Sequence, residues 1–150
     1  MYPTKIIVGF NNYDTKYLKK HNIYNFHTTL TKLLNSIINI KLFCKNIIYR
    51  FIYLDTFITF DISENLSNYN KNILKTLILS LNRFKHLEFN IKGIYYKYCN
   101  EIYPLYGNYY NYYLINKRII GFTPISFLQP NLICMEKMYN YINTLIEYTN

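Results

Sequence analysis

From Ile73 to Phe84 the chain repeats apolar residues with a helical period. Ile73, Leu74, Leu77, Ile78, Leu81 and Phe84 fall on one face, and Lys71, Lys75, Asn82 and Arg83 on the other. After Lys85 and His86 the period changes to two. Leu87, Phe89 and Ile91 alternate with Glu88, Asn90 and Lys92, which predicts a strand with one buried face. A helix that feeds a strand through so short a turn packs its apolar face onto the sheet containing that strand.

The other strands lie upstream. Lys5 to Asn12 alternates as a strand, and Asp14 is placed to cap the helix that follows. The helical pattern runs from Thr15 to Ile38, uneven around Tyr17, Leu18 and Ile23 and clear from Phe26 through Leu30, Leu33, Leu34 and Ile37. His21 and Asn22 are the place where it would kink or divide. Lys41 to Cys44 predicts a short strand. Ile47 to Leu54 and Phe57 to Ser63 predict a hairpin around Asp55 and Thr56, with Ser63, Asn65 or Ser67 capping the next helix. The order strand, helix, hairpin, helix, strand is that of a ferredoxin-like split βαβ sandwich. The expected class is α+β, with an antiparallel sheet, two helices on one face, and a C-terminal extension ending in a helix.

Residues 1–98 would form that domain and residues 99–150 the extension. The latter opens on Tyr103, Tyr106, Tyr109, Tyr110, Tyr112 and Tyr113. Gly107 and Asn108 predict a turn in a hairpin-like segment reaching Phe122. Pro124 and Pro130 interrupt the chain, and Asn131 would cap a last helix through Met135, Met138, Tyr139, Ile142, Leu145 and Ile146.

Composition adds a caution and a direction. Ile, Asn, Tyr, Lys and Phe supply 87 of the 150 residues, and Ala and Trp are absent. All five have A/T-rich codons, so a strongly AT-biased genome accounts for part of the tyrosine and lysine content. The net charge of +9, from 17 Lys and Arg against 8 Asp and Glu, favours a polyanionic partner. Only three of those cations are Arg, which favours phosphate neutralisation over bidentate base reading. No apolar run of about 18 residues is present, so the chain is expected not to span a membrane. Nothing at the N-terminus reads as a secretory signal.

Catalytic chemistry finds no footing. His21, His27 and His86 are scattered, the four glycines stand alone, and no two carboxylates or cysteines share a chemically useful spacing. Cys44, Cys99 and Cys134 read as buried thiols in a reducing compartment. No catalytic residue, metal ligand, cofactor or small-molecule substrate is expected. The basic positions carry the expectation instead: Lys16, Lys19, Lys20 and His21 after the first strand, Lys41, Lys45 and Arg50 leading into the hairpin, Lys92 and Lys97 on the last strand, and Lys117 and Arg118 in the extension. Dispersed over several elements, they suit a protein that touches RNA phosphates from many directions.

The stretch Lys5-Ile6-Ile7-Val8-Gly9-Phe10-Asn11-Asn12-Tyr13-Asp14-Thr15-Lys16-Tyr17-Leu18 resembles the opening of the small-subunit ribosomal protein ten family, in which a strand enters an aromatic-Asp-His turn and a Leu-bearing helix. Leu18-Lys19-Lys20-His21-Asn22, with Tyr24, Thr28 and Lys32, is similar to organellar members. Ile48-Tyr49-Arg50-Phe51-Ile52 and Phe57-Ile58-Thr59-Phe60-Asp61-Ile62 look like the family's central strand and its partner. Leu81 to Lys92 resembles its helix exit and closing strand. The likeness covers residues 4–98. Thr15 replaces the family's His, its Arg-Ser-Pro-His loop is reduced to Leu54-Asp55-Thr56, and Phe84 to His86 replace its Pro-Gly pair.

The resemblance implies a structural component in the head of a mitochondrial small ribosomal subunit, organelle-encoded and located in the matrix. Its partners would be ribosomal RNA and other small-subunit ribosomal proteins, and it would catalyse nothing. The alternative expectation is an accessory subunit of a large mitochondrial membrane complex, respiratory or ATP synthase, whose Tyr-rich extension is the interaction surface.

Overall fold

The computed structural model describes residues 4–9, 14–84, 90–115, 117–124 and 132–149. Strand β1 (Thr4–Gly9) is followed by α1 (Thr15–Lys20), α2 (Tyr24–Ile37), a short 3-10 turn at Ile40–Leu42, β2 (Cys44–Ile52) and β3 (Asp55–Ile62). Helix α3 (Asn68–Phe84) leads to β4 (Asn90–Tyr98) and β5 (Glu101–Tyr106). Strands β6 (Asn111–Ile115) and β7 (Arg118–Phe122) and helix α4 (Leu132–Thr149) complete the described chain.

The coarse α+β expectation holds, but its finer part does not describe the strand order. The main sheet runs β1-β2-β3-β4-β5, with β3 and β4 parallel and every other neighbouring pair antiparallel. In a split βαβ sheet another strand separates the two that a helix connects. Here β3, α3 and β4 form an unsplit unit with the two strands side by side. Alternation along a strand decides which side chains are buried and says nothing about which strand lies next.

Several boundaries also shift for identifiable reasons. The expected Thr15–Ile38 helix divides at Asn22, which adopts the left-handed conformation at φ 56°. The Asn22 N–H reaches the Lys19 carbonyl and the Ile23 N–H the Leu18 carbonyl, the two bonds of a Schellman ending. Leu18 and Ile23, both fully buried, supply its apolar contact. The hairpin tip lies at Tyr53 and Leu54, two residues before the expected Asp55 and Thr56, and Tyr53 takes the positive φ that so tight a turn demands. Residues 40–42 form the 3-10 turn, where a short strand was expected. Asp14 stands at the α1 N-cap position without a capping side-chain bond, whereas Ser67 Oγ accepts the Asn70 N–H at 3.1 Å. The expected turn at Lys85 and His86, the strand start at Leu87 to Phe89 and the cap at Asn131 lie outside the described residues.

The division expected after residue 98 falls inside a hairpin. Cys99 and Asn100, both at positive φ, turn β4 into β5, which becomes the fifth strand of the main sheet. The Tyr-rich run is therefore two structures: Tyr103 and Tyr106 belong to the sheet, while Tyr112 and Tyr113 belong to the separate β6–β7 ribbon.

The helices cover one face of the main sheet, and the C-terminal part of the chain covers one end of the other. On one face Ile6, Val8, Ile47, Tyr49, Ile58, Phe60 and Ile94 meet Leu18, Phe26, Leu30, Leu34, Leu74 and Ile78 of the three preceding helices. Each such side chain contributes on the order of 1.5–3 kcal/mol. On the other face Ile52, Phe57 and Tyr95 form a smaller core with Phe122 of β7, against which Tyr113, Ile120 and Tyr139 of α4 pack. The extension is thus a lid on one end of the second face.

Candidate functional site

Lys16, Lys19 and Lys20 are all exposed on the single short helix α1, where Leu18 alone turns inward. The Schellman ending throws the chain away from the helix axis and opens a shallow polar cleft lined by Lys19, Asn22, Tyr24 and Asn25. The Lys19 ammonium lies 5.2 Å from the centre of the Tyr24 ring, on its face. His21 at the helix end stacks flat on Phe51, with ring centres 5.0 Å apart and 9° between planes. Burial first, and then the Lys20 charge, lower its proton affinity. His21 is therefore a packing residue at the base of the lysine cluster, kept neutral at physiological pH.

A second basic group lies at the other end of the sheet. Lys45 at the start of β2 and Lys97 at the end of β4 line an open cleft with Asp61, Ser63 and Asn100. Along β2, Lys45 and Phe51 are six residues apart, so the two groups are separated by roughly 20 Å. Lys41 is exposed on the 3-10 turn, its backbone N–H held by Asn35 Oδ1 at 3.1 Å.

Three expected contacts are committed within the chain. Arg50 is only 8% exposed and donates through Nη1 to the carbonyls of Thr123 at 3.1 Å and Pro124 at 3.4 Å. It points into the second core, and burial lowers its pKa without uncharging it. Lys92 pairs with Asp55 at 3.6 Å and sits 5.7 Å from the Tyr113 ring centre. Arg118 Nη2 donates to Asn143 Oδ1 at 2.8 Å, tying the ribbon to α4, while Lys117 is exposed beside it at the ribbon tip.

The β2–β3 hairpin tip is partly covered. The Tyr53 ring lies 6.0 Å from that of Tyr113, and the Tyr113 hydroxyl donates to Asp55 Oδ2 at 2.7 Å. Burial and this carboxylate both push the Tyr113 phenol upward.

Among the described residues no three His, Cys, Asp or Glu side chains come together as a metal site. Cys44 is buried as expected, and its thiol is pushed up to about 12 by burial and then by Asp61. Cys99 corrects the expectation of buried thiols: the two-residue turn leaves it exposed. No helix is long and apolar enough to cross a membrane, among the described residues.

None of Asn22, Asn25, Tyr24, Asp61, Ser63 and Asn100 was read from the sequence as a binding residue; Asn22 was read as a helix break and Ser63 as a cap, and Tyr24 and Asp61 entered only through the family resemblance. A left-handed Asn after a Lys-rich turn is the signal for the first three. No local signal brings Asp61 between Lys45 and Lys97, because strand neighbours decide it. Comparison with protein-family models and with curated proteins finds no match for this chain.

Proposed function

We propose that the protein is a structural, RNA-associated component of the mitochondrial small ribosomal subunit. The observation that carries this reading is the α1–α2 junction. Three exposed lysines on a six-residue helix adjoin a cleft whose lining offers amide donors and acceptors and one aromatic ring. Lysines meet phosphate as mobile point charges, Asn side chains bond base edges, and a tyrosine face accepts an unstacked base. A second basic group about 20 Å away suits a particle whose RNA surrounds the protein rather than a single groove along one duplex.

The ribosomal assignment is narrower than RNA binding and rests on the resemblance over residues 4–98. In its favour is the order of elements, strand, helix, hairpin, helix, strand, which the described chain shares. The family's sandwich does not lend it further support, since the sheet here is ordered differently.

The membrane-complex alternative has its own observation. Leu114 and Ile119 on the outer side of the ribbon are 69% and 77% exposed, and Tyr141, Ile142, Leu145 and Ile146 leave an apolar strip open on α4. Such surface is characteristic of a protein partner. It fits a neighbouring ribosomal protein as well as a respiratory subunit.

Gradient sedimentation of a mitochondrial lysate separates the readings. Co-sedimentation with the small subunit, lost after ribonuclease treatment, is the expected result. Migration with a respiratory or ATP synthase complex, insensitive to ribonuclease, overturns it in favour of the alternative.

A further inference from the structure

The cleft between the ends of β2, β3 and β4 carries an alternation of charge. Lys45, Asp61 and Lys97 come from three adjacent strands, and Asp61 stands directly opposite Lys97 in the parallel register. Lys45 occupies the position where the β2–β3 register shifts between Cys44 and Asn46, and the bulge leaves it exposed. The backbones of β2 and β4 are roughly 10 Å apart with β3 between them, so a carboxylate separates two ammonium-bearing strands.

These three charges are not closed on one another. Among the described residues the one ion pair within 4.0 Å is Lys92 with Asp55, and no side chain hydrogen-bonds the Asp61 carboxylate. The cleft is open and has a volume of about 390 Å³, room for a nucleotide-sized group. Ser63 Oγ donates to the Phe43 carbonyl at 3.1 Å, so its lone pairs remain available at the rim. A site for phosphate alone gains nothing from a central carboxylate, which repels it. A site for a sugar flanked by two phosphates does gain, because an ionised carboxylate accepts from a hydroxyl.

We propose that this cleft binds single-stranded RNA through one ribose and its two flanking phosphates. Lys45 and Lys97 take the phosphates and Asp61 accepts the 2′-hydroxyl, so the site prefers RNA over DNA. This rests on the RNA-binding reading above and assigns that reading a second site with a sugar specificity. A 2′-hydroxyl is the group by which RNA and DNA are told apart, and a carboxylate aimed at a ribose hydroxyl is a familiar way to read it.

The test measures binding of the full-length protein to a labelled oligouridylate and to the oligodeoxyuridylate of equal length, which differ only at the 2′ position. The wild type is expected to bind the RNA roughly tenfold more tightly, as one hydrogen bond to a charged acceptor would give. Asp61→Ala should bring the RNA:DNA ratio close to one, and Asp61→Asn, which still accepts, should retain part of it. The double variant Lys45→Gln, Lys97→Gln should weaken both ligands and lower the salt slope by about one to one and a half. An unchanged ratio in Asp61→Ala together with an unchanged slope in the lysine variant removes the cleft as the site, while RNA binding by the protein stands. A wild type that binds neither oligonucleotide overturns the RNA-binding reading itself, and this inference with it.

Discussion

The Nδ1 atom of His27 lies 2.7 Å from the Tyr49 hydroxyl, a hydrogen bond that crosses from α2 to β2 inside the main core. The two rings meet nearly edge to face, with centres 5.5 Å apart and planes at 80°. Both side chains are buried, and burial holds the imidazole down at about 4. The pair joins helix to sheet and at the same time stores a dependence on acidity.

His27 is neutral when folded, and the unfolded chain takes up its proton near pH 6.5. Between those values the unfolded state binds more protons, so stability is complete above about pH 6.5 and falls as the pH drops toward 4. The loss from this group should approach about 3 kcal/mol at the acid end. His21, shifted the same way, adds to it. Urea titrations at several pH values check this. A variant combining His27→Leu with Tyr49→Phe should lose most of the slope, and equal slopes in both proteins would assign the dependence elsewhere.

Arg50 holds the exit of β7 through two backbone carbonyls and lies beneath the small core. Arg50→Met should keep the packing of the aliphatic stem and lose the bonds, costing about 1–3 kcal/mol. Amide exchange should quicken in residues 118–122 first and leave β2 and β3 protected. RNA affinity should not change, which separates this cation from those on α1.

Replacing Lys16, Lys19 and Lys20 together by Gln should reduce RNA affinity and lower the salt slope by about two, as three lost single-strand phosphate contacts predict. Thermal unfolding should shift little, because all three side chains are exposed. An unchanged slope would remove α1 from the RNA surface.

Gly107 sits at φ 83°, and a Cβ there would approach the Lys92 carbonyl oxygen to 2.3 Å. Gly107→Ala meets both a disfavoured backbone and a clash with main chain that has no rotamer to yield. A loss of about 2 kcal/mol or more is expected by chemical denaturation. Gly93→Ala is obstructed by the Tyr95 side chain instead, whose hydroxyl donates to the Asn108 carbonyl. Its cost should fall in the background of Tyr95→Leu, which removes the obstructing hydroxyl and ring atoms, a relief that Gly107→Ala should not show.

The helices were legible because their apolar spacing is strong and local. The Ile73-to-Leu81 stripe is the face α3 buries, through Leu74 and Ile78, and Phe26, Leu30 and Leu34 do the same for α2. Neighbour relations between strands were not legible. That β4 lies beside β3 depends on how α3 returns over the sheet, and no residue of β4 announces it. For the same reason the lysines could be named but not grouped. Lys97 reads as another strand cation until Asp61 is found opposite it, and Arg50 reads as a surface cation until Thr123 and Pro124 close over it. The Cys99–Asn100 turn was hidden because neither residue is the glycine that usually marks a two-residue turn.

Because Phe122, Tyr113 and Ile120 cover Ile52, Phe57 and Tyr95 from far along the chain, the protein is made with that wall bare. A ribosome that has released residues up to 106 has delivered all five strands of the main sheet while the ribbon is still to come. A nascent chain stalled there presents a wet aromatic surface to its surroundings, so truncated products should clump where the completed chain stays dispersed. Translation speed through the stretch before β6 thus sets how long that surface is open to unwanted company.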